Sequence, residues 1–284
     1  MTRKRGGGGK RERRLLKGWK RLGWAGKVWR VVWVALLAAV GFSFLQVLFC
    51  AFFNPITPLM VSRFFDQCRD PDREVRFERR NVSIEEVSPN LIDAVVYHED
   101  IYFQYHRGFN IPQMKKSYLE GMKNGASTIS MQTAKNCFLP HKHSIVRKAA
   151  EAYYTVLIEA VWGKKRIMEV YLNVAEFGDG IYGCEAACRH YFHHSSAHLT
   201  EQEASLLVAC LPCPLRRDPT RPSEEHRNDA AYVLRVRDKY GRVDLDVRRE
   251  DLDPQRLSNM GGTLAGFLWW AVSEGDLPAH LKML

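Results

Sequence analysis

Residues 31–53 read VVWVALLAAVGFSFLQVLFCAFF, a run without a single charged side chain. As a helix rising about 1.5 Å per residue, this run can cross a hydrocarbon layer of about 30 Å. It is longer than the apolar region of a cleavable signal peptide, about 7–15 residues, and it lacks a small-x-small cleavage site. Phe49 precedes Cys50 where a lipoprotein site needs a small residue. The sequence therefore predicts one transmembrane helix that divides the chain.

Basic residues are concentrated before this helix. Residues 1–30 hold 12 of the 42 Lys and Arg residues and one of the 32 Asp and Glu residues, although the 284-residue chain carries only +10. The remainder is nearly neutral, so the composition indicates no nucleic acid partner, and the basic tip suits a topology signal or a contact with anionic membrane lipid. By the positive-inside rule, we expect the tip in the cytoplasm and everything after about Arg63 on the far side of the membrane.

The pattern beyond the membrane predicts a mainly α fold. Residues 54–84, rich in proline and polar side chains, are expected to form a connector with one or two short strands or irregular pieces. Ser88-Pro89 is typical of a helix start, and a second helix is expected to restart near Met114, after Pro112. Ser127 or Thr128 should cap the next helix. Further helices are predicted at about 145–162, 164–174, 183–192, from the Thr200 capping box onward, and 223–240.

Glu99 is the first candidate for chemistry. Leu91, Val95 and Glu99 are spaced by four residues, so the glutamate lies on the apolar side of its helix, where poor solvation suits a proton-transfer group. Asp100 lies about 100° round the helix and is expected to brace the site or a neighbouring backbone. Spacing alone favours a plainer interpretation, in which Glu99 marks the edge of the buried face and pairs with a Lys or Arg.

The stretch GASTISMQTAKN at residues 125–136 predicts a cradle for phosphate or sugar oxygens. If Ser127 is the N-cap, the first-turn amides and the hydroxyls of Ser127 and Thr128 converge, and a helix start attracts anions. Gln132 and Lys135, three residues apart, lie on the same side. An ordinary capped helix with exposed polar residues fits the same pattern equally well.

A third stretch, from residue 147 to 151, combines cations with a carboxylate. Arg147 and Glu151 are one turn apart, and Lys148 adds a second cation. Two cations beside a half-buried carboxylate could hold a pyrophosphate or a metal-bound phosphate. A surface ion pair on an amphipathic helix is the commoner outcome of this spacing.

Together these stretches resemble the family-51 peptidoglycan glycosyltransferases, in particular the monofunctional biosynthetic type. GASTISMQTAKN is similar to that family's second motif, RKAAEAYYTVLIEAVWGKKRIMEVYLNVAEFGDGIYGCEAA to the third and its continuation, and LTEQEASLLVACLPCPLRRDP to the closing block. The resemblance covers about residues 85–220. VVYHEDIYFQYHRGFN is similar to the first motif, whose positions correspond here to Glu99, Asp100, Phe103, His106 and Gly108.

The resemblance implies a lysozyme-like helical head beside a small membrane-associated jaw subdomain, preceded by one N-terminal transmembrane helix. It implies a single-pass protein of the bacterial inner (cytoplasmic) membrane, with its N-terminus cytoplasmic and its catalytic domain periplasmic or otherwise extracytoplasmic. No penicillin-binding second domain is expected in the 64 residues after Thr220. The expected organisation is a basic tip at 1–30, a transmembrane helix at 31–53, a connector at 54–84, the glycosyltransferase domain at 85–220 and a C-terminal extension at 221–284.

The activity implied is the polymerisation of lipid II into glycan strands, with inversion at the sugar carbon. Carried over by position, Glu99 would be the general base and Glu151 the second glutamate, placed beside the donor pyrophosphate. Lys135, Arg147 and Lys148 would offset the charge of the departing pyrophosphate. Ser127, Thr128 and Gln132 would hold phosphate or sugar oxygens. The expected partners are lipid II, the growing glycan strand, membrane lipid and cell-wall or division proteins; a divalent cation, Mg²⁺ or Mn²⁺, is an expected cofactor without a metal site formed by the protein.

Three positions depart from the family pattern. His98 stands where the family usually has a small residue; its bulky imidazole could alter the surroundings of Glu99, although neighbouring helix positions face apart. Met131 replaces one glutamine of the usual pair, and Asn110 replaces an aspartate. None of these changes removes a residue with a proposed catalytic role.

Two other functions and the cysteines stay open at this stage. A lytic, lysozyme-like enzyme that cleaves glycan would need one acidic glutamate but not the cations of a phosphate site, and an inactive membrane-tethered scaffold would need neither. Cys184, Cys188, Cys210 and Cys213 could form a zinc site, two disulfides or unpaired packed thiols, of which the last is favoured. A redox role for Cys210 and Cys213 is disfavoured because they fall where the family has an ordinary helix end and turn.

Overall fold

The computed structural model describes residues 23–121, 125–142, 144–260 and 262–273. Most of the predicted basic tip and the last part of the C-terminal extension therefore lie outside the described residues. The chain divides into two compact units, residues 1–49 and 50–284, and each is described by itself. The predicted boundaries at residues 84 and 220 stay predictions.

The first unit consists, in its described part, of helix α1, Trp24–Cys50, whose last residue belongs to the second unit. Its length and composition are those of a membrane-spanning helix, which confirms the predicted helix but not its bounds. The helix begins before residue 31 because Lys27 and Arg30 are compatible with helix geometry, and such long side chains can reach an interface while their stems stay apolar. It ends before residue 53, close to Pro55, which disfavours helical backbone in the residue before it.

The second unit is mainly helical, as predicted. Among its described residues, short 3₁₀ turns occur at 84–86, 196–198 and 249–251. The helices are α2 Pro58–Arg69, α3 Pro89–Glu99, α4 Ile111–Leu119, α5 Ile129–Phe138, α6 Ile145–Val161, α7 Lys164–Val174, α8 Cys184–Tyr191, α9 Glu201–Val208, α10 Glu224–Tyr240, α11 Pro254–Asn259 and α12 Leu264–Ser273.

Two groups of helices form the body of this unit. Helices α3, α9 and α10 pack on one another, and α5 packs on both α6 and α7. A small sheet adds three short strands, β1 Glu78–Arg79, β2 Glu176–Gly178 and β3 Ile181–Tyr182. Strand β3 lies in the middle, parallel to β1 and antiparallel to β2. The apolar side chains that these elements share, among them Phe103, Phe177 and Tyr182, are fully buried and form the core.

Local sequence signals explain most helix starts. Ser88 caps α3 with Pro89 at its first position, and Thr200 and Glu203 form the predicted capping box of α9. The bounds of α7 are those predicted, and α6, α8 and α10 agree within one residue at either end.

Two predictions for the first half of the unit are wrong. The connector at 54–84 contains a helix, α2, because Thr57 caps a first turn that begins with Pro58, a helix-start signal that the prediction overlooked. Helix α4 begins at Ile111 rather than near Met114. Pro112 lies in the first turn of α4, where backbone N–H groups have no partner within the helix, so the absent N–H of proline costs no hydrogen bond. Asn110 caps the helix by accepting from the Gln113 amide at 3.1 Å.

Gly180 and Gly241 offer a matched test of the turn between β2 and β3. Both have positive φ, +75° and +79°, but a Cβ at Gly180 would overlap the carbonyl oxygen of Arg76, whereas nothing lies within 4 Å at Gly241. We expect Gly241→Ala to lower the free energy of unfolding by about 1–3 kcal/mol through backbone strain alone, because φ +79° with ψ −157° is a conformation that essentially only glycine adopts. Gly180→Ala should cost about 1–3 kcal/mol more because it overpacks a rigid backbone. Thermal unfolding in detergent measures both; equal losses would contradict the clash.

Candidate active site

Glu99 is the last residue of α3, and its carboxylate is held by two side chains. Its Oε1 lies 2.7 Å from His98 Nδ1, and its Oε2 accepts from Gln132 Nε2 at 2.6 Å. Of the two possibilities for His98, the structure shows the one in which the imidazole alters the surroundings of Glu99, because the helix ends there and the two neighbouring side chains can meet. The expected ion pair with a Lys or Arg is not found in the described part of the chain. Glu99 therefore meets the helix that carries Gln132.

Asp100 ties the end of α3 to the start of α5. Its Oδ2 accepts from the backbone amide of Ile129 at 3.1 Å and lies 2.8 Å from Nε2 of His106. His106 in turn accepts from the amide of Gly108 through Nδ1 at 3.1 Å. The predicted bracing role of Asp100 is confirmed, and the brace is buried throughout.

The start of α5 lacks the arrangement with Ser127 as N-cap on which the predicted cradle depends, and the binding of phosphate or sugar oxygens there stays a prediction. Thr128, not Ser127, is the N-cap, and its Oγ1 accepts from the Met131 amide at 3.1 Å while donating to the Gly108 carbonyl at 2.6 Å. The amide of Ile129 is taken by Asp100. A helix start attracts anions, and here the chain supplies its own carboxylate. The Thr128 hydroxyl is buried and already bonded, so its role at a substrate oxygen stays a prediction without geometric support.

The second glutamate lies in a buried cluster of charges on α6. Glu151 is 3% exposed and its Oε2 accepts from Arg147 Nη1 at 2.7 Å, while Lys148 Nζ binds its other oxygen. Lys148 Nζ also donates to Ser127 Oγ at 3.4 Å, and its side chain is half exposed. A surface ion pair does not describe this arrangement. The structure brings Ser127, Arg147, Lys148 and Glu151 together, four of the eight predicted site residues.

Lys135 belongs electrostatically to both groups of residues. Burial lowers the pKa of its ammonium, the charge of Glu151 opposes that shift, and Arg147, Lys148 and Glu99 also act on it. In the stretch of chain that the structure describes, the ammonium of Lys135 makes no hydrogen bond and no ion pair. It is therefore a desolvated cation without a committed partner, between the carboxylates on α3 and α6.

A cavity of about 500 Å³ opens beside Lys135 and Gln132. Tyr171 closes one wall and donates to Gln132 Oε1 at 3.3 Å; burial raises the pKa of its phenol well above the usual value, so it stays a donor. Sequence reasoning missed Tyr171, because it comes from α7 and no local spacing links it to Gln132. The lining residues are Leu59, Arg63, Gln132, Lys135, Asn136, His141, Tyr171, Ala175, Glu176, Leu211, Pro212, Cys213, Pro214, Leu215 and Arg216.

The site residues do not fit a resident divalent cation. Both oxygens of Glu151 are engaged by cations, so a metal ion there would face Arg147 and Lys148. No group of three His, Cys, Asp or Glu side chains in the described ranges could hold a metal ion.

The seven cysteines are unpaired in the structure, and Cys184, Cys188 and Cys210 are buried.

The site contains two different charged environments. Glu99 is held by the Gln132 amide and the His98 imidazole. Arg147 and Lys148 surround Glu151, and Lys135 lies within electrostatic reach of both carboxylates. Such a pair of environments suits proton transfer at Glu99 and stabilisation of a leaving anion at Lys135, Arg147 and Lys148. Water-poor surroundings strengthen both effects because charges are poorly screened there.

Comparisons with known proteins agree with this geometry. A family model described as Transglycosylase matches residues 70–237. A biosynthetic peptidoglycan transglycosylase of Shewanella oneidensis is 40% identical over 220 residues, 75% of this chain and 93% of that protein. One of Caulobacter vibrioides is 44% identical over 202 residues, 70% and 82% of the two chains. One of Shigella boydii is 49% identical over 159 residues, which span 54% of this chain and 66% of that relative.

Proposed function

The chain belongs to the transglycosylase family, and we propose that it is a peptidoglycan glycosyltransferase that polymerises lipid II into glycan strands. The observation that carries this proposal is Lys135, a partly buried cation in the wall of the cavity, whose ammonium has no hydrogen bond or ion pair among the described residues. Burying an uncompensated ammonium is costly, and the departing pyrophosphate of a lipid-linked sugar would offset that cost. A glycan-cleaving enzyme has no leaving pyrophosphate and gains nothing from such a cation.

The proposed reaction exchanges one bond at the donor's sugar carbon for another. The acceptor's 4-hydroxyl oxygen forms a bond to that carbon from one face, the bond to the pyrophosphate oxygen breaks on the other, and the configuration inverts. The hydroxyl proton passes to Glu99, and the electron pair of the broken bond leaves with the pyrophosphate. Gln132 and His98 would hold the carboxylate in place for this transfer.

Glu151 acts in this proposal by positioning the cations rather than by contacting the substrate. Its two oxygens fix Arg147 and Lys148 on one face of α6, and Lys148 leads to Ser127. Preorganised cations stabilise a developing anion without reorganising at the moment of reaction. Any requirement for Mg²⁺ or Mn²⁺ would then arise from the pyrophosphate of the substrate. The cell-wall and division proteins expected as partners stay a prediction.

The direct test is to mix the purified full-length protein with lipid II and to separate the products by length. We expect long glycan from the wild-type protein and none from Glu99→Gln, which should lose about 10²- to 10⁴-fold in turnover while donor binding survives. Short fragments released from preformed glycan would instead indicate the lytic enzyme. A wild-type protein without any activity would indicate the scaffold.

Glu151→Gln should behave differently from Glu99→Gln. It removes the charge that fixes Arg147 and Lys148, so we expect weaker donor binding, measured as a raised KM for lipid II, as well as slower turnover. The two variants are compared in the same assay. Near-normal polymerisation by Glu99→Gln, or loss of activity with intact donor binding only in Glu151→Gln, would show that the base is assigned wrongly.

Turnover should fall with rising pH earlier than an ordinary lysine would cause. A lysine carries its charge below its pKa, and burial lowers the pKa of Lys135 from 10.5, so the charge is lost at a lower pH than usual. Lys135→Arg keeps the charge far into the alkaline range. We therefore expect the alkaline limb of the kcat/KM profile to move to higher pH, whether or not the maximum value of kcat/KM changes. Lys165→Arg, at an exposed ion pair outside the site, is the control and should leave the profile in place. An unmoved limb in Lys135→Arg would contradict the role of Lys135.

We propose that α1 anchors the protein in the bacterial inner membrane, with the N-terminus in the cytoplasm and the catalytic unit outside it. The support is the excess of basic residues before an uncharged span. A reporter that is active only outside the cytoplasm, fused after Leu284, should be active, and one that folds only in the cytoplasm, at the same position, should be silent. The reverse pattern would overturn this orientation.

A further inference from the structure

The chain continues beyond residue 237, where the family match ends, and folds back over the catalytic unit. We call its residues 241–273 the C-terminal strap. Its first part binds α3, the helix that ends at Glu99. The Gly241 carbonyl accepts from the Tyr97 hydroxyl at 2.6 Å, and the Val243 amide donates to Asp93 Oδ1 at 2.8 Å. The strap is thus fixed at one end to the helix of the proposed base.

The last part of the strap packs on α4. Leu264 and Phe267 of α12 contact an apolar cluster formed by Phe109, Ile111 and Met131. Phe267 also meets Tyr118 edge-on, with ring centroids 6.4 Å apart. Helix α4 has nine residues, of which Ile111 and Ser117 are buried. So short a helix is not stable alone, so the apolar contact with the strap contributes to its order.

Met131 links this contact to the active site. It stands where the family pattern has a glutamine, and it is 3% exposed in the apolar cluster that receives Leu264 and Phe267. The next residue, Gln132, donates to Glu99 at 2.6 Å. Beyond α4, the chain leads to Ser127, which accepts from Lys148. The strap therefore packs on α4, which precedes Ser127 in the chain, and on the apolar cluster that contains Met131, the neighbour of Gln132.

We propose that the C-terminal strap is a positioning element for the reaction, and that Leu264 and Phe267 hold α4 against α5 so that the donor side of the site is formed before lipid II binds. This inference rests on the proposed function. Preorganisation of this kind lowers the cost of binding because the segment is already ordered. Its loss raises KM more than it lowers kcat, whereas mere loss of folded enzyme lowers the apparent kcat and leaves KM unchanged.

The test compares Phe267→Ala with Leu268→Ala in the full-length protein. Leu268 is the neighbouring residue on α12 and is 54% exposed, so it is a matched control. We expect Phe267→Ala to raise the KM for lipid II about two- to tenfold, the range for one aromatic contact. Phe267→Leu should restore most of the affinity, and Leu268→Ala should resemble the wild type. An unchanged KM in Phe267→Ala would overturn the proposal.

Hydrogen exchange separates this inference from the proposed function, because it needs no activity. The amides of residues 111–119 should exchange faster in Phe267→Ala and at the wild-type rate in Leu268→Ala. Met131→Gln should have the same effect, and adding Phe267→Ala to it should give little further change, because both changes weaken the same apolar cluster. Unchanged exchange at α4 in Phe267→Ala, or fully additive effects of the two changes, would overturn the proposal even in a protein that polymerises lipid II.

Discussion

One buried carboxylate oxygen holds the parts of the active site together. Asp100 Oδ2 accepts from the first amide of α5 and lies at hydrogen-bonding distance from His106, so it joins the end of α3, the following loop and the start of α5. Glu99 directly precedes Asp100, and Gln132 lies about one turn after Ile129, whose amide Asp100 binds. This bond therefore brings Glu99 and Gln132 into contact. Without Asp100, a buried amide and an imidazole would each lose a partner, and leaving such groups unpaired costs about 1–3 kcal/mol apiece.

The two glutamates differ in surroundings rather than in chemistry. Glu99 is held by an amide and an imidazole, and Glu151 by a guanidinium and an ammonium. Glu151 holds Arg147 and Lys148 in place, whereas Glu99 meets no Lys or Arg side chain among the described residues. Lys135 lies within electrostatic reach of both carboxylates. The site therefore keeps one partly buried cation available for an incoming anion, at a desolvation cost that the nearby carboxylates reduce.

The departures from the family pattern are accommodated within this chain by neighbouring groups. His98 does not crowd Glu99 but contacts it, because the helix ends there. Met131 brings an apolar side chain in place of a polar amide, and it lies in the apolar cluster against which Leu264 and Phe267 of the C-terminal strap pack. An exposed methionine would gain little from the exchange, since apolar burial requires a partner that excludes water.

The sequence by itself determined the elements whose causes are local. The uncharged span, the capped starts of α3 and α9, and the cations one turn from Glu151 could all be predicted, because caps and helical spacing act within a few residues. Thr57-Pro58 carried a helix signal of the same kind that was overlooked. The tertiary structure alone decided which groups are already bonded: Asp100 occupies the start of α5, His98 turns to Glu99, and Tyr171 reaches Gln132. These contacts join residues from different elements or depend on where a helix ends in space, so no sequence spacing specifies them.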